Sequence, residues 1–150
     1  MTSIKHQLYY LCLACIVERI ATAQLAIQEA QASSNEETKS SAGDKYETGR
    51  AMAQLEIEKS AAQLAEAMKL KQTLEALAEK KPTENAQAGS LVMTDQGNFY
   101  LTIPAGQLIV DHKTYYAISV DSPIGARLLG LKLGSSFTLR DKTYRIEQIA

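Results

Sequence analysis

Apolar residues recur every three or four positions through the first eighty residues and every second position after residue 91, so the chain changes its period once. In the first segment Tyr9, Leu13, Ile16, Ile20, Ala23, Ile27 and Ala30 fall on one stripe, which predicts a single amphipathic helix over residues 3–32. Ala53, Ile57, Leu64, Ala67 and Leu74 repeat at a/d-like spacing, with Met68, Leu70 and Leu77 widening the stripe, and predict a second helix over residues 47–80. Between them Ser33 to Glu37 and Thr38 to Gly43 are polar without apolar period and predict a loop. Two helices joined by a short polar loop pair antiparallel. At 1.5 Å per residue each arm is roughly 45 Å long, more than a compact domain of this length needs. The hairpin therefore reads as a probe or a spacer.

Punctuation separates this half from the next. Up to Lys81 the chain has no proline and only Gly43 and Gly49; Pro82, Pro104, Pro123 and every other glycine come later. Residues 82–90 read as a linker by composition. Beyond it, residues 91–94, 99–103, 107–110, 114–120, 136–140 and 143–149 are strand candidates rich in Tyr, Ile, Val and Thr. Asp95-Gln96-Gly97-Asn98, Pro104-Ala105-Gly106, Asp111-His112-Lys113 and Asp141-Lys142 supply the turns. One helix interrupts the strands: Ser122 caps it, Pro123 suits its first position, Leu128 and Leu129 face the core, and Gly130 ends it. The predicted fold class is α+β, with a hairpin over residues 1–81, a linker over 82–90 and a small antiparallel sheet domain over 91–150.

Length and charge then narrow the function. At 150 residues the chain has no room for a TIM barrel, a doubly wound oxidoreductase or a two-domain condensing enzyme. A formal charge of −1 argues against a module that binds duplex DNA independently, because phosphate affinity comes from excess Lys and Arg. Cys12 and Cys15, three residues apart in an apolar segment, read as small buried helix residues in a reducing cytoplasm. The rival is a lipoprotein signal ending at Leu13-Ala14-Cys15, against which the helical register runs straight through the cleavage point. No run of about 20 apolar residues stands out as a membrane span. His6 and His112 are isolated, and no nucleophile elbow or phosphate-cradling glycine loop is present.

Acid gathers where the two arms meet. Asp44 and Glu47 lie three residues apart at the start of the second helix, with Glu36 and Glu37 across the loop. Asp44 as an N-cap with Glu47 reaching back to it explains the pair as a capping box. Alternatively, carboxylates there suit a hard cation such as Mg²⁺, which takes one or two protein carboxylates and keeps its waters.

At this point the chain resembles the Gre family of bacterial transcription elongation factors. The main match is Asp121-Ser122-Pro123-Ile124-Gly125-Ala126-Arg127-Leu128-Leu129-Gly130-Leu131-Lys132-Leu133-Gly134, close to the family's Ser-Pro-[Ile/Leu]-Gly-x-x-Leu-Leu-Gly-x-Lys-x-Gly signature. Lys142-Thr143-Tyr144-Arg145-Ile146 and Gly43-Asp44-x-x-Glu47 match as well. The resemblance implies a coiled-coil hairpin followed by an FKBP-like domain. It implies a non-enzyme that enters the secondary channel of RNA polymerase, near the nascent RNA 3′ end, and stimulates the polymerase to cleave its own backtracked transcript. Asp44 and Glu47 would position Mg²⁺ and water jointly with the polymerase, with no stably bound cofactor and no membrane partner. Ser122, Pro123, Ile124, Gly125, Arg127 and Lys132 would contact the partner.

The tip departs from the family's Asp-Leu-Ser-Glu-Asn-Ala-Glu-Tyr: here it reads Asp44-Lys45-Tyr46-Glu47-Thr48-Gly49-Arg50-Ala51. The acidic pair is kept, the following Asn and Glu are lost, and Gly49 loosens the helix by about 1 kcal/mol relative to Ala. A factor that occupies the channel without promoting cleavage is therefore the alternative. Lys39, Lys45 and Arg50 near the tip, and Arg140 and Arg145 in the last strands, are partner candidates by charge. A prolyl isomerase and a structural or lipidated coiled coil are the readings from other classes. Against the isomerase, Phe99, Tyr100, Tyr115, Tyr116, Phe137 and Tyr144 read as core or strand-face residues rather than a pocket.

Overall fold

The computed structural model describes residues 3–39 and 43–150, with side chains described outside 36–46. Two helices come first, α1 (Ile4–Lys39) and α2 (Gly43–Ala78). Six strands follow: β1 (Leu91–Thr94), β2 (Gly97–Leu101), β3 (Gly106–Val110), β4 (Lys113–Ile118), β5 (Ser136–Leu139) and β6 (Lys142–Ile149). A short helix, α3 (Pro123–Leu128), lies between β4 and β5. The architecture is α+β, a helical hairpin followed by a mixed sheet with one short helix. The chain packs as two compact units, Ile16–Leu70 and Met1–Cys15 with Lys71–Ala150.

In the first of these units small residues occupy the seam. Ile16, Ala23 and Ala30 are buried on α1, and Ala53, Ser60 and Ala67 on α2. Ile57 and Leu64 fill the intervening positions, half-buried, so that α2 keeps its 4-3 alternation. Alanines at the contact let two backbones approach closely. Ser60 keeps its hydroxyl satisfied along its own helix by donating to Glu56 Oε1 at 3.4 Å.

Four expectations for the helices are corrected. The polar stretch from Ser33 to Thr38 is not a loop: α1 continues to Lys39, since nothing in it breaks a helix and Glu is a good helix former. Asp44 is not an N-cap, because α2 is already helical at Gly43; the side chains of Glu36, Glu37, Asp44, Lys39 and Lys45 lie outside the described residues. The buried stripe of α1 runs through Leu8 and Cys12, with Tyr9 and Leu13 only half-buried. The pattern could not choose between these registers because α1 carries apolar residues on more than one face. That same excess makes α1 long and apolar enough over Ile4–Asn35 to cross a membrane by length and composition, contrary to the sequence expectation, and only 17% of its most apolar window is buried. The helix also runs unbroken through Cys15.

In the second unit the strand order is β3-β4-β2-β1-β6-β5. All six expected strands form, but the sheet is mixed rather than antiparallel. β2 and β4 pair in parallel, with Phe99 opposite Tyr116 and Leu101 opposite Ile118. The path explains it: after β2 the chain turns at Pro104-Ala105, β3 runs back, and the Asp111-His112 turn returns β4 into the space between β3 and β2. Asp111 and His112 both have positive φ (51° and 66°), as do Arg140 and Asp141 at the β5–β6 turn (51° and 65°). Two such residues make the tight hairpin turn whose twist matches antiparallel strands.

Side chains alternate across the sheet, and both faces are used. Val92, Phe99, Leu101, Phe137, Tyr144 and Ile146 gather with Leu128 of α3 and Ala86 in one core. The other face buries Leu91, Tyr100, Tyr115 and Ala117. Tyr9 and Cys12 of α1 lie near enough to Tyr100 to act on its ionisation, which puts the first turns of α1 against this face. The expected aromatic residues are core or strand-face as read: Phe99, Tyr100, Tyr115, Phe137 and Tyr144 are buried, and Tyr116 lies on β4, 39% exposed. Residues 82–90 are bound into this unit: Ala86 N–H donates to Leu131 O at 2.7 Å, Gly130 N–H donates to Ala86 O at 2.7 Å, and Asn85 bridges to Lys132.

Candidate functional site

The Ser-Pro-Ile-Gly element is built from the residues upward as a helix start. Ser122 sits at the N-cap of α3 with extended backbone. Its hydroxyl donates to Ser119 O at 2.6 Å and accepts from Gly125 N–H at 3.1 Å. Pro123 occupies the first turn, where its missing N–H costs nothing. Gly125 is required by space: a Cβ there would collide with the carbonyl oxygen of Ser119 and come within 2.7 Å of Ser122 Oγ. Gly130 follows the helix with φ 86°, a left-handed stop. Much of the signature is thus accounted for by the fold itself.

Around that start the chain leaves a cleft of about 490 Å³, lined by Ile118, Ser122, Pro123, Ile124, Leu139, Arg140, Lys142 and Tyr144. Its walls are largely apolar, with two basic side chains, Arg140 of the β5–β6 turn and Lys142 at the start of β6, and a single aromatic ring. Of the six residues expected to meet a partner, Ser122, Pro123 and Ile124 come together here. Gly125 is buried beneath them. Arg127 is engaged with its own domain: its Nη2 donates to Thr138 O at 3.1 Å and its guanidinium lies over the Phe137 ring at 5.9 Å from the centroid. Lys132 lines a different cleft with Thr83, Glu84, Leu133 and Glu147. Leu139 and Lys142 were missed as lining residues; the signal in the sequence was the two-residue turn at Arg140-Asp141, which carries its flanking side chains back toward α3.

At the start of α2 the side chain of Glu47 is exposed, three residues after Asp44 on the same helix. Among the described residues no group of three or more His, Cys, Asp or Glu side chains could hold a metal ion. The Asp44 side chain lies outside the described residues, so the expected acidic pair is seen only as two positions three residues apart on one helix.

The cysteines take no part in a site of this kind. Cys12 is fully buried, and burial pushes its thiol up to about 12, with Cys15 adding to the shift. At pH 8 the Cys12 thiolate is therefore suppressed by a factor of about 10⁴, and the thiolate is the reactive form. Under native conditions iodoacetamide is expected to modify half-buried Cys15 and to reach Cys12 only after denaturation. Equal labelling of both thiols by mass spectrometry would contradict this packing. Nearby, Lys5 Nζ donates to Ala150 O at 3.4 Å, and burial lowers its pKa.

No family model matches the chain, and neither does a curated protein or a solved structure.

Proposed function

We propose that this chain is a Gre-like factor that binds RNA polymerase and, through the acidic pair at the start of α2, stimulates the polymerase to cleave backtracked transcripts. The observation that carries the reading is a pairing of two features in one chain. A helical hairpin with an alanine-rich seam has Asp44 and Glu47 in the opening turns of its second helix, and a Ser122-Pro123-Ile124-Gly125 helix start packs on a mixed sheet. The seam keeps the hairpin narrow, as insertion into a channel requires. Asp44 and Glu47 would hold Mg²⁺ jointly with the polymerase, and the ion would supply Lewis-acid stabilisation of a phosphodiester oxygen. This chain contributes positioned negative charge, so the factor is an activator rather than a nuclease. The apolar cleft edged by Arg140 and Lys142 suits a polymerase segment that combines apolar and acidic side chains.

The test is transcript release from stalled elongation complexes containing the host's polymerase. Wild-type protein is expected to accelerate cleavage, and Asp44→Ala or Glu47→Ala to lower the stimulated rate by about 10²-fold, the scale of losing one electrostatic contact to a transition state. Both positions lie in the opening turns of α2 and Glu47 is exposed, so co-purification with polymerase is expected to survive. Absence of co-purification by the wild-type chain would overturn the reading.

A second reading, channel occupancy without cleavage, is favoured by the composition of the same turns. Gly49 sits inside the second turn of α2, and Lys45 and Tyr46 stand between the two acids. Polymerase binding with reduced RNA output and no transcript cleavage would select it.

A further inference from the structure

A second cleft opens at the first turn of α1, wholly inside the unit that contains the sheet. It holds about 270 Å³ and is lined in part by Ser3, Lys5, His6 and Tyr9, by Lys80 beyond the end of α2, and by Tyr100 of β2. Two lysines and an imidazole thus share one small space, and none of its lining residues among those described is acidic. The chain as a whole carries 17 acidic and 16 basic side chains, so the imbalance is local.

Three further features point the same way. First, Lys5 stands where a cation is disfavoured: the first turn of α1 carries no acidic residue, and a helix N-terminus favours negative charge. Lys5 is half-buried, and its bond to Ala150 O is long, 3.4 Å, to an oxygen that already accepts from Leu91 N–H at 2.9 Å. Second, the helix start has donors to spare. Ser3 Oγ accepts from His6 N–H and Ser3 O from Gln7 N–H, both at 3.1 Å, so the N–H groups of Ile4 and Lys5 precede the first intrahelical bond. Third, Tyr100 is 2% exposed, and among the described residues its hydroxyl has no hydrogen-bond partner. That hydroxyl is not sealed in, because among the described residues the one unpartnered side-chain polar atom shut off from solvent is Thr102 Oγ1. Since Tyr100 lines this cleft, its hydroxyl opens there.

We infer that the cleft binds a small phosphate monoester, with the phosphate held by Lys5, Lys80 and the Tyr100 hydroxyl beside the open turn of α1, and the organic group laid against Tyr9. A phosphate brings a charge of about −1.5 to −2 and three strong acceptor oxygens, enough for two ammonium groups and a phenol together. A carboxylate, with one charge and two oxygens, leaves one of the three unmatched. The volume lies just below the usual small-molecule range of about 300–1,000 Å³, which admits a phosphate with one ring and excludes a nucleoside triphosphate.

Calorimetric titration of the purified full chain with phenyl phosphate at fixed ionic strength tests this without polymerase, so its outcome is separate from that of the functional reading. One molecule is expected to bind per chain, with a Kd of about 0.1–1 mM. Benzyl alcohol, which keeps the ring and lacks the charge, is expected to give no saturable heat. Lys5→Met and Lys80→Met are each expected to weaken binding about 10-fold, the scale of losing one hydrogen bond to a charged group. Tyr100→Phe separates a ligand contact from a structural one. Its hydroxyl has no partner in the described protein, so removal is expected to leave the melting temperature at neutral pH unchanged while weakening phenyl phosphate about 10-fold. Absence of saturable binding up to about 10 mM overturns the inference. So does binding that Tyr100→Phe and Lys80→Met, the latter at an exposed position, both leave unchanged. Equal affinity for benzyl alcohol, or flotation with phosphatidic acid vesicles in place of phenyl phosphate binding, overturns it too.

Discussion

Raising the pH from 9 to 12 is expected to unfold the unit that contains the sheet, with Tyr100 and Cys12 as the main cause. Tyr100 is 2% exposed, and burial, with Cys12 and Tyr9 nearby, pushes its pKa up to about 12. Cys12 is pushed to about 12 as well. Both groups are held neutral in the folded chain, while in the unfolded chain they release protons near their ordinary values. Above pH 9 the unfolded state therefore binds fewer protons, and stability falls as pH rises until the folded-state values are reached. At about 1.4 kcal/mol per unit, and with the two groups coupled, the loss by pH 12 is about 4–6 kcal/mol, comparable to the whole stability of a small domain. Tyr115, also raised by burial, acts in the same direction; Lys5, whose ammonium is disfavoured by burial, acts in the opposite one. Tyr100→Phe removes the phenol's ionisation and is expected to move the alkaline midpoint upward. The measurement is circular dichroism followed together with tyrosinate absorbance. Titration of all seven tyrosines near pH 10 with the fold intact would contradict the burial of Tyr100.

Gly125→Ala is expected to be the most damaging single-methyl change among the described glycines. Elsewhere inside a helix the same substitution stabilises by about 1 kcal/mol, because glycine loses more backbone freedom on folding. Here the added Cβ meets the Ser119 carbonyl and Ser122 Oγ, and the first of these is backbone that cannot rotate away. Relief requires α3 to lift from the β4–α3 turn. That lift loosens the hydroxyl bonds of Ser122 and withdraws Leu128, which is fully buried among Val92, Phe99, Leu101 and Ile146. The expected cost is about 3 kcal/mol, a fall in melting temperature of roughly 6–12 °C for a chain of this length. Ser122→Ala, which removes only the cap, is expected to cost about 1 kcal/mol. The two effects separate cleanly in a thermal melt. An alanine at 125 that raised the melting temperature would mean that α3 does not approach Ser119 so closely.

These two results bear on how the Ser-Pro-Ile-Gly stretch is understood. Ser122 and Gly125 are explained by a capped helix that must lie against a carbonyl, and Arg127 by its bonds to β5. For the proposed partner the rim of the cleft, Pro123 and Ile124 with Arg140 and Lys142, is the first place to map by mutation, because changes at Ser122 or Gly125 report on folding first.

Period, punctuation and turn chemistry were legible without coordinates. The change from a 3–4 to a 2-residue period placed both long helices and all six strands. Asp111-His112-Lys113 and Asp141-Lys142 placed two hairpins, the second one residue later than the Arg140-Asp141 turn that forms, and Ser122-Pro123 placed the start of α3. Each of these is a local property, fixed by the backbone geometry that neighbouring residues allow. Tertiary structure alone decided the rest. Which of two apolar faces of α1 is buried depends on what packs against it, so the sequence favoured Tyr9 and Leu13 where packing took Leu8 and Cys12. Whether β4 joins β2 in parallel depends on which gap in the sheet is left open, and no residue in β4 encodes that. Nor does charge say that Arg127 is spent on Thr138 while Lys142 faces the cleft. Local rules settle what each segment becomes; competition for shared buried surface settles where it goes.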